Sequence, residues 1–332
     1  MTDVSVAAEW QLDEDIALSF DRTIDRRMVH RAAVSEVFIT DVRPLGDRRV
    51  ALAAQLPTCH RYFNDHLGSE SAVDPLLMME VCRQAGLATA YELGVSTGVV
   101  LITEDWDLRV AVPGTWRGDD PVIGLRVDSE FTWTRVRRGR PRSGTCQQRV
   151  FVKGQQIATL QASSLFLAYE ELDLLRTAQR GDPPPWTADL VDQRDPELVA
   201  PYTVGRRDRL NVVLAGLAHT AGEVSARVAL PLANRALFDH SYDHVTMQIL
   251  TEAARQLTLA AVTASGRAIA DWHLTRLAGR FMRFAELDST VTVRATPPAP
   301  DDSSLDMSVV IEQDGNVVAE VELTMTRILA QS

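Results

Sequence analysis

Residues 61–91 read RYFNDHLGSESAVDPLLMMEVCRQAGLATAY, and residues 235–263 read RALFDHSYDHVTMQILTEAARQLTLAAVT. Each stretch carries Phe, then Asp-His, then an apolar run holding Glu-x-x-Arg-Gln: Asp65-His66 with Glu80, Arg83 and Gln84, and Asp239-His240 with Glu252, Arg255 and Gln256. The Glu–Arg–Gln triplets lie 172 positions apart (252 − 80) and the Asp-His pairs 174 apart (240 − 66). A repeat of this length is a whole domain rather than a solenoid unit. Two copies with matching polar groups imply an internal dimer with its chemistry at or near the seam.

The 332-residue chain accommodates two domains of about 150 residues each. With 45% hydrophobic and 24% charged residues it has the composition of an ordinary globular protein. A formal net charge of −11 argues against a general binder of nucleic acid or of anionic membranes. The first twenty residues, MTDVSVAAEWQLDEDIALSF, put acids where a signal peptide needs bases, and the chain has no run of 18 apolar residues. Cys59, Cys82 and Cys146 lack metal-ligand spacing and are expected to be reduced thiols. A cytoplasmic protein with no metal and no cofactor is the expectation.

Beyond a polar leader over residues 1–28, strands are expected at Ser35–Asp41 and Val50–Gln55. Asp74-Pro75 opens a helix, since Asp is a good N-cap and Pro is tolerated at the first helical position. The helix continues through Leu93, apolar on nearly every side and therefore buried. Strands fit Val99–Ile102, Leu108–Val112, Val122–Val136, Thr145–Val152 and Gln156–Phe166, with a hairpin turn at Val152–Gln155. A Pro-rich linker over 176–199, containing Pro183, Pro184 and Pro185, separates a first module (29–175) from a second (200–332). There the order recurs: a strand at Glu223–Leu230, the Asp-His loop, a helix over Val245–Ser265, then strands at Ile269–Leu277, Arg280–Phe284, Ser289–Ala295, Leu305–Gln313 and Val317–Ile328. One long buried helix followed by antiparallel strands, twice, is α+β, with each sheet wrapped around one helix.

Phe63-Asn64-Asp65-His66 followed after fourteen positions by Glu80 (80 − 66) resembles the active-site signature of hot-dog β-hydroxyacyl-carrier dehydratases. A closer resemblance runs through VHRAAVSEVFITD (29–41), DPLLMMEVCRQAG (74–86), VGRRDRLNVVL (204–214), FDHSYDHV (238–245), LTEAARQ (250–256) and RFAELD (283–288). These six motifs, in this order, are similar to the A-factor biosynthesis family of actinomycetes, the γ-butyrolactone synthases. The resemblance implies two tandem hot-dog modules forming an intramolecular pseudo-dimer. It also implies an acyltransferase that moves a β-ketoacyl group from acyl carrier protein to the hydroxyl of dihydroxyacetone phosphate. The ester then cyclises to a butenolide phosphate on the route to a γ-butyrolactone signalling molecule.

That chemistry needs a general base for the attacking hydroxyl, donors for the thioester oxyanion and a cation for the phosphate. Arg is the best-shaped side chain for the last. Glu80 or Glu252 as base and Arg83 or Arg255 as clamp meet these needs, because residues at i and i+3 share a helical face. Gln84 and Gln256 extend the pattern, as substrate-binding groups or as hydrogen-bonding partners of the other module's helix. By analogy with the dehydratases, whose His and carboxylate come from different modules, His66 would face Glu252 and His240 would face Glu80.

The chain departs from the dehydratase pattern at both helix starts. A Pro-Gly there would present free backbone N–H groups to the thioester carbonyl. Module 1 has Asp74-Pro75, and module 2 has Thr246-Met247. One site is therefore expected to work and the other to be remodelled, with Glu80 and Arg83 the favoured face. Two other readings stay open: a dehydratase or thioesterase acting on carrier-bound acyl chains, and a non-catalytic acyl-ligand-binding protein. Arg135, Arg137, Arg138, Arg140 and Arg142 form a basic island that fits either a solvated hairpin tip or a dock for an acidic carrier. Trp106, Trp116 and Trp133 fit core packing or an acyl tunnel. Further pairing of the pseudo-dimer into a homodimer stays open as well.

Overall fold

The computed structural model describes residues 16–67, 73–111, 122–191, 195, 197–220, 222–297 and 304–327. The first fifteen residues of the expected leader, with Val112, Trp116 and Ile328, lie outside the described residues. The first module contains β1 (Ile39–Pro44), β2 (Arg49–Gln55), α1 (Pro75–Glu92), β3 (Val99–Val110), β4 (Gly124–Arg137), β5 (Arg140–Val152) and β6 (Gln155–Ala168). Helix α2 (Tyr169–Arg180) follows. The second module repeats the first with β7 (Leu214–His219), β8 (Val224–Val228), α3 (Met247–Ala264), β9 (Trp272–Phe281), β10 (Val291–Ala295), β11 (Ser304–Gln313) and β12 (Asn316–Arg327).

The strands form one antiparallel sheet in the order β1-β2-β4-β5-β6-β3-β9-β12-β11-β10-β8-β7. This order is palindromic, so a pseudo-two-fold axis runs between β3 and β9. Those two strands pair from Asp105 opposite Arg280 to Arg109 opposite Arg276, and Arg276 adds an ion pair to Asp107 at 2.9 Å across the seam. The modules therefore share a continuous hydrogen-bonded sheet.

Each module wraps its half of the sheet around one helix. The Asp74 carboxylate caps α1 by accepting the Leu76 N–H at 2.8 Å, and Pro75 enters the first turn. Leu76, Met78, Val81 and Ala85 on α1, like Ile249, Ala253, Leu257 and Ala260 on α3, are wholly buried. Each large apolar side chain so buried contributes about 1.5–3 kcal/mol. The main core cluster spans both modules, and a smaller one in module 1 gathers Leu87, Tyr91, Phe131 and Phe166.

The differences from the sequence expectation have local causes. The two strands expected at 99–102 and 108–112 are one, β3, whose register slips between Thr103 and Asp105. A polar interruption marks that bulge and not a strand end. Residues 269–271 form a short 3-10 turn, and Arg280–Phe284 has no strand of its own, because β9 runs through to Phe281. Strand β7 was not anticipated, since its burial changes along its length instead of alternating. The linker begins as an amphipathic helix: α2 carries Glu170 and Glu171 in its first turn, ends at Gly181, and buries Arg176 to 3% exposure. The three prolines start only after that helix.

Candidate functional site

Two buried polar clusters are related by the pseudo-two-fold, one on each central helix. In the first, the Glu80 carboxylate on α1 accepts from Arg83 Nε at 2.8 Å, from an Arg83 terminal nitrogen at 2.8 Å and from Gln84 Nε2 at 2.7 Å. Arg31, which follows the 3-10 turn at Arg26–Val29, donates to the same carboxylate from Nε at 3.1 Å. Module 2 contributes Asp239, 3.4 Å from Arg31 and accepting the Ala32 N–H at 2.9 Å. Asp239 also holds His240 Nδ1 at 2.6 Å and the Tyr242 hydroxyl at 3.2 Å, and the His240 ring packs 4.2 Å from that of Tyr242.

The second cluster repeats these contacts. Glu252 on α3 accepts from Arg206 at 2.8 Å and from Gln256 at 2.5 Å, and forms an ion pair with Arg255 at 2.6 Å. Arg206 follows the 3-10 turn at Pro201–Val204 and stands where Arg31 stands, 175 positions on (206 − 31). Module 1 contributes Asp65, which accepts the backbone N–H groups of Arg207 at 2.9 Å and Asp208 at 3.0 Å. His66 lines a cavity of about 70 Å³ with Asp74, Arg206, Arg255, Trp272 and His273.

Three differences separate the clusters. First, Asp74 puts a carboxylate 2.6 Å from Arg255, so that arginine lies between two acids and is 8% exposed. Thr246 is the corresponding residue at the start of α3 (246 − 74 is 172), and among the described residues Arg83 keeps only Glu80 as an acidic partner and is 27% exposed. Second, the start of α1 has no N–H to offer, because Pro75 lacks one and Leu76 donates to Asp74. At α3, Thr246 takes the Ile249 N–H, which leaves those of Met247 and Gln248 without an acceptor among the described residues. Third, Arg83 and Met247 open on a cavity of about 120 Å³ lined by Met79, Leu87, Leu101, Trp106, Phe131 and Leu160. A larger groove of about 450 Å³, lined by Thr134, Ser163 and Arg280 among others, reaches neither carboxylate.

The electrostatics follow from these partners. Burial works against the charge on Glu80, but Arg31 and Arg83, with the hydrogen bonds from Arg83 and Gln84, outweigh it and hold its carboxyl at about 2. Burial likewise opposes the charge on Asp74, and Arg255 and Arg206 overcome it to keep its pKa below the usual carboxylate range. Desolvation lowers His66 and His273. His30 is pulled down to about 4 by desolvation first and then by Arg83.

His66 thus stands on the Glu252 side of the molecule and His240 on the Glu80 side. Gln84 and Gln256 do not reach the opposite helix. Gln84 binds Glu36 and Phe38 backbone groups besides Glu80, and Gln256 binds those of Asn211 and Val213 besides Glu252. These bonds commit both amides to ordering the segment that enters each module. Trp106 lines the cavity, whereas Trp133 stacks on Phe131 with ring centroids 5.1 Å apart. In the basic island Arg142 pairs with Glu171 at 2.5 Å.

Sequence reasoning missed Arg31 and His30. The signal was present in the repeat, since VHR at 29–31 and VGR at 204–206 align once the 175-residue offset is applied. His30 occupies the left-handed region at φ 51°, where its counterpart Gly205 has φ 75°. At Gly205 a Cβ would come within 2.7 Å of Leu259 Cδ1, so a side chain there would have to displace that leucine. A histidine held in that conformation beside Arg83, and hydrogen-bonded to Tyr91, distinguishes the first cluster from the second.

The sequence matches the family described as the A-factor biosynthesis hotdog domain over residues 12–168 and 188–328. It is 33% identical over 307 residues to a 2-oxo-3-(phosphooxy)propyl 3-oxoalkanoate synthase from Streptomyces virginiae, covering 89% of this chain and 95% of that protein. A protein of the same description from Streptomyces coelicolor is 28% identical, covering 88% of each. Among solved structures, one described as an oleoyl thioesterase from Lactobacillus plantarum superposes with a TM-score of 0.50 at 15% identity, covering 84% of this chain and 97% of that one, a likeness of fold alone. A palindromic double sheet, two helix-borne Glu–Arg–Gln clusters and a family match spanning both modules lead to one statement: this chain belongs to the A-factor biosynthesis hotdog family.

Proposed function

We propose that this chain is an acyltransferase that moves a 3-oxoacyl group from acyl carrier protein to the hydroxyl of dihydroxyacetone phosphate, working at the Glu80–Arg83 cluster. The name of its relatives describes the product of such a transfer, an ester between a 3-oxoalkanoate and a phosphorylated hydroxyketone. One observation carries the choice of site: among the described residues Arg83, partly exposed at a cavity, has one acidic partner, whereas Arg255 is buried between two.

In this reading the acyl chain occupies the cavity beside Trp106 and Leu160, and Arg83 holds the phosphate. The free N–H groups of Met247 and Gln248 receive the thioester oxygen as it becomes an oxyanion. Glu80 serves as the anchor of Arg31 and Arg83, since a carboxyl held at about 2 is a poor proton acceptor near neutral pH. The base moves to His240: with Nδ1–H donating to Asp239, Nε2 carries the lone pair and takes the proton of the attacking hydroxyl. The carbon–sulfur bond breaks, the new ester bond stands in its place, and the thiolate of the carrier leaves to be reprotonated.

No helix among the described residues is long and apolar enough to cross a membrane. A cytoplasmic location, where acyl carrier protein and the phosphate acceptor meet, is part of the proposal. The test is intact-mass spectrometry of a 3-oxoacyl carrier protein incubated with this chain, with and without dihydroxyacetone phosphate. Deacylation only with the phosphate, with the ester or its butenolide appearing, supports the transferase. Deacylation without it makes the chain a thioesterase, and no change leaves a binding protein.

A further inference from the structure

Helix α2 leaves module 1 and packs over module 2, where Arg176 is buried to 3% exposure. Its guanidinium donates to both Glu286 oxygens at 2.8 Å, to Asp243 Oδ2 at 3.1 Å and to the Asp243 carbonyl at 3.0 Å. It also lies 4.5 Å over the Phe284 ring. Gln179 donates to the Phe284 carbonyl and accepts the Phe284 N–H, and Arg180 pairs with Asp288 at 2.5 Å and with Glu286 at 3.2 Å. The RFAELD motif at 283–288 is the receiver of this helix. A few residues on, Thr187 N–H donates to the Tyr242 carbonyl, Tyr242 N–H to Thr187 Oγ1 and Ala188 N–H to Ser241 Oγ. Residues 176–188 thus grip residues 241–243 from outside, directly after His240.

We propose that residues 176–188 form a strap that sets the Asp239–His240 pair against Arg31 and Glu80, with Arg176 as its positioning residue. The proposal rests on reading His240 as the base of the transfer. A buried guanidinium is tolerated only when its donors are bound in one geometry. Here the bound groups come from two segments, the loop after His240 and the segment after β9, so the fork fixes one against the other. Lysine lacks the planar fork needed to hold both carboxylates. The His66 loop is held by other means, through Asp65 and the backbone at Arg207 and Asp208.

The experiment compares Arg176→Met, Arg176→Lys and, as a control at an exposed position of the same helix, Leu174→Ala, each in the full-length chain, with and without His240→Ala. A misplaced base costs on the order of 10²-fold. Arg176→Met is expected to lower kcat by about that factor with KM for dihydroxyacetone phosphate within about twofold. Arg176→Lys should fall between, and Leu174→Ala should leave kcat near wild type. In the His240→Ala background Arg176→Met should cost nothing further, because the residue it positions is gone. A full additive loss there would make Arg176 merely structural and overturn the proposal. Hydrogen exchange supplies a readout independent of activity: amides at 241–245 should exchange faster in Arg176→Met while those of α1 do not change. Unchanged exchange at 241–245 would also overturn it. A wild-type chain that transfers nothing would fail the functional reading, and the exchange result would still decide the strap.

Discussion

Arg83→Met and Arg255→Met are the same chemical change at pseudo-symmetric positions, and their consequences should be opposite. Arg255 touches Asp74 and Glu252 at 2.6 Å each, and neither carboxylate side chain has any exposed surface. Arg206 remains for Glu252 but stands 3.9 Å from Asp74, so removing Arg255 leaves one buried charge poorly compensated. Breaking such a pair costs about 3–5 kcal/mol, which at about 2–4 °C per kcal/mol for a chain of this size lowers Tm by roughly 10 °C. In Arg83→Met, Glu80 keeps Arg31 and Gln84, and the arginine lost is partly solvated. The stability cost is then about 1–2 kcal/mol. The order reverses for activity. Arg83→Met should reduce transfer about 10²–10³-fold, the loss expected when a charge-stabilising donor is removed, while Arg255→Met, assayed below its lowered Tm, should stay within about threefold of wild type. Thermal unfolding followed by circular dichroism and product formation followed by mass spectrometry check both halves. Loss of transfer in Arg255→Met with normal transfer in Arg83→Met would refute the assignment of the working site.

His240→Ala should lower kcat by about 10²–10⁴-fold, the range for a lost general base, while His66→Ala changes it little; steady-state rates compare the two. The Glu80 carboxyl titrates at about 2 in the folded chain against 4.5 unperturbed. Its contribution to stability is therefore complete above pH 4.5 and lost as pH falls towards 2, so Glu80→Gln should flatten the decline of Tm across that window. Burial pushes the Cys82 thiol well up and the Cys146 thiol up to about 12, whereas Cys59 is exposed. A maleimide at neutral pH should add to Cys59 quickly and to the other two only on unfolding, as intact mass would record.

The repeated Glu-x-x-Arg-Gln made the central helices, the two-module order and the two clusters readable in the sequence. It did so because a charged triplet inside an apolar helix is expensive unless partners are built for it. Those partners were harder to see. Arg31 and Arg206 arrive from 3-10 turns about fifty residues upstream, where no periodicity advertises a buried arginine. Asp74 was legible as a helix cap, but its second task, neutralising Arg255 of the other module at 2.6 Å, depends on how the helices meet. Thr246-Met247, which read as a lost carbonyl site, still leaves two N–H groups without an acceptor among the described residues beside a cavity that Met247 lines, because the cap takes only the third. The linker misled most: its proline run dominates the composition, while the burial of Arg176 depends on Asp243 and Glu286, 67 and 110 residues away.

The central claim is that the two clusters differ in function because one arginine is neutralised from the opposite helix start and the other is not. Thr246→Asp tests it directly by giving the first cluster the carboxylate that Asp74 gives the second. Aspartate is as good an N-cap as threonine, and the helix dipole favours it there, so folding should be preserved. The measurement is the rate of ester formation from a 3-oxoacyl carrier protein and dihydroxyacetone phosphate, with Tm recorded on the same sample. The account predicts a Tm within a few degrees of wild type and transfer reduced at least about 100-fold, because the new carboxylate occupies Arg83 and repels the phosphate. Undiminished transfer by a folded Thr246→Asp chain would contradict it.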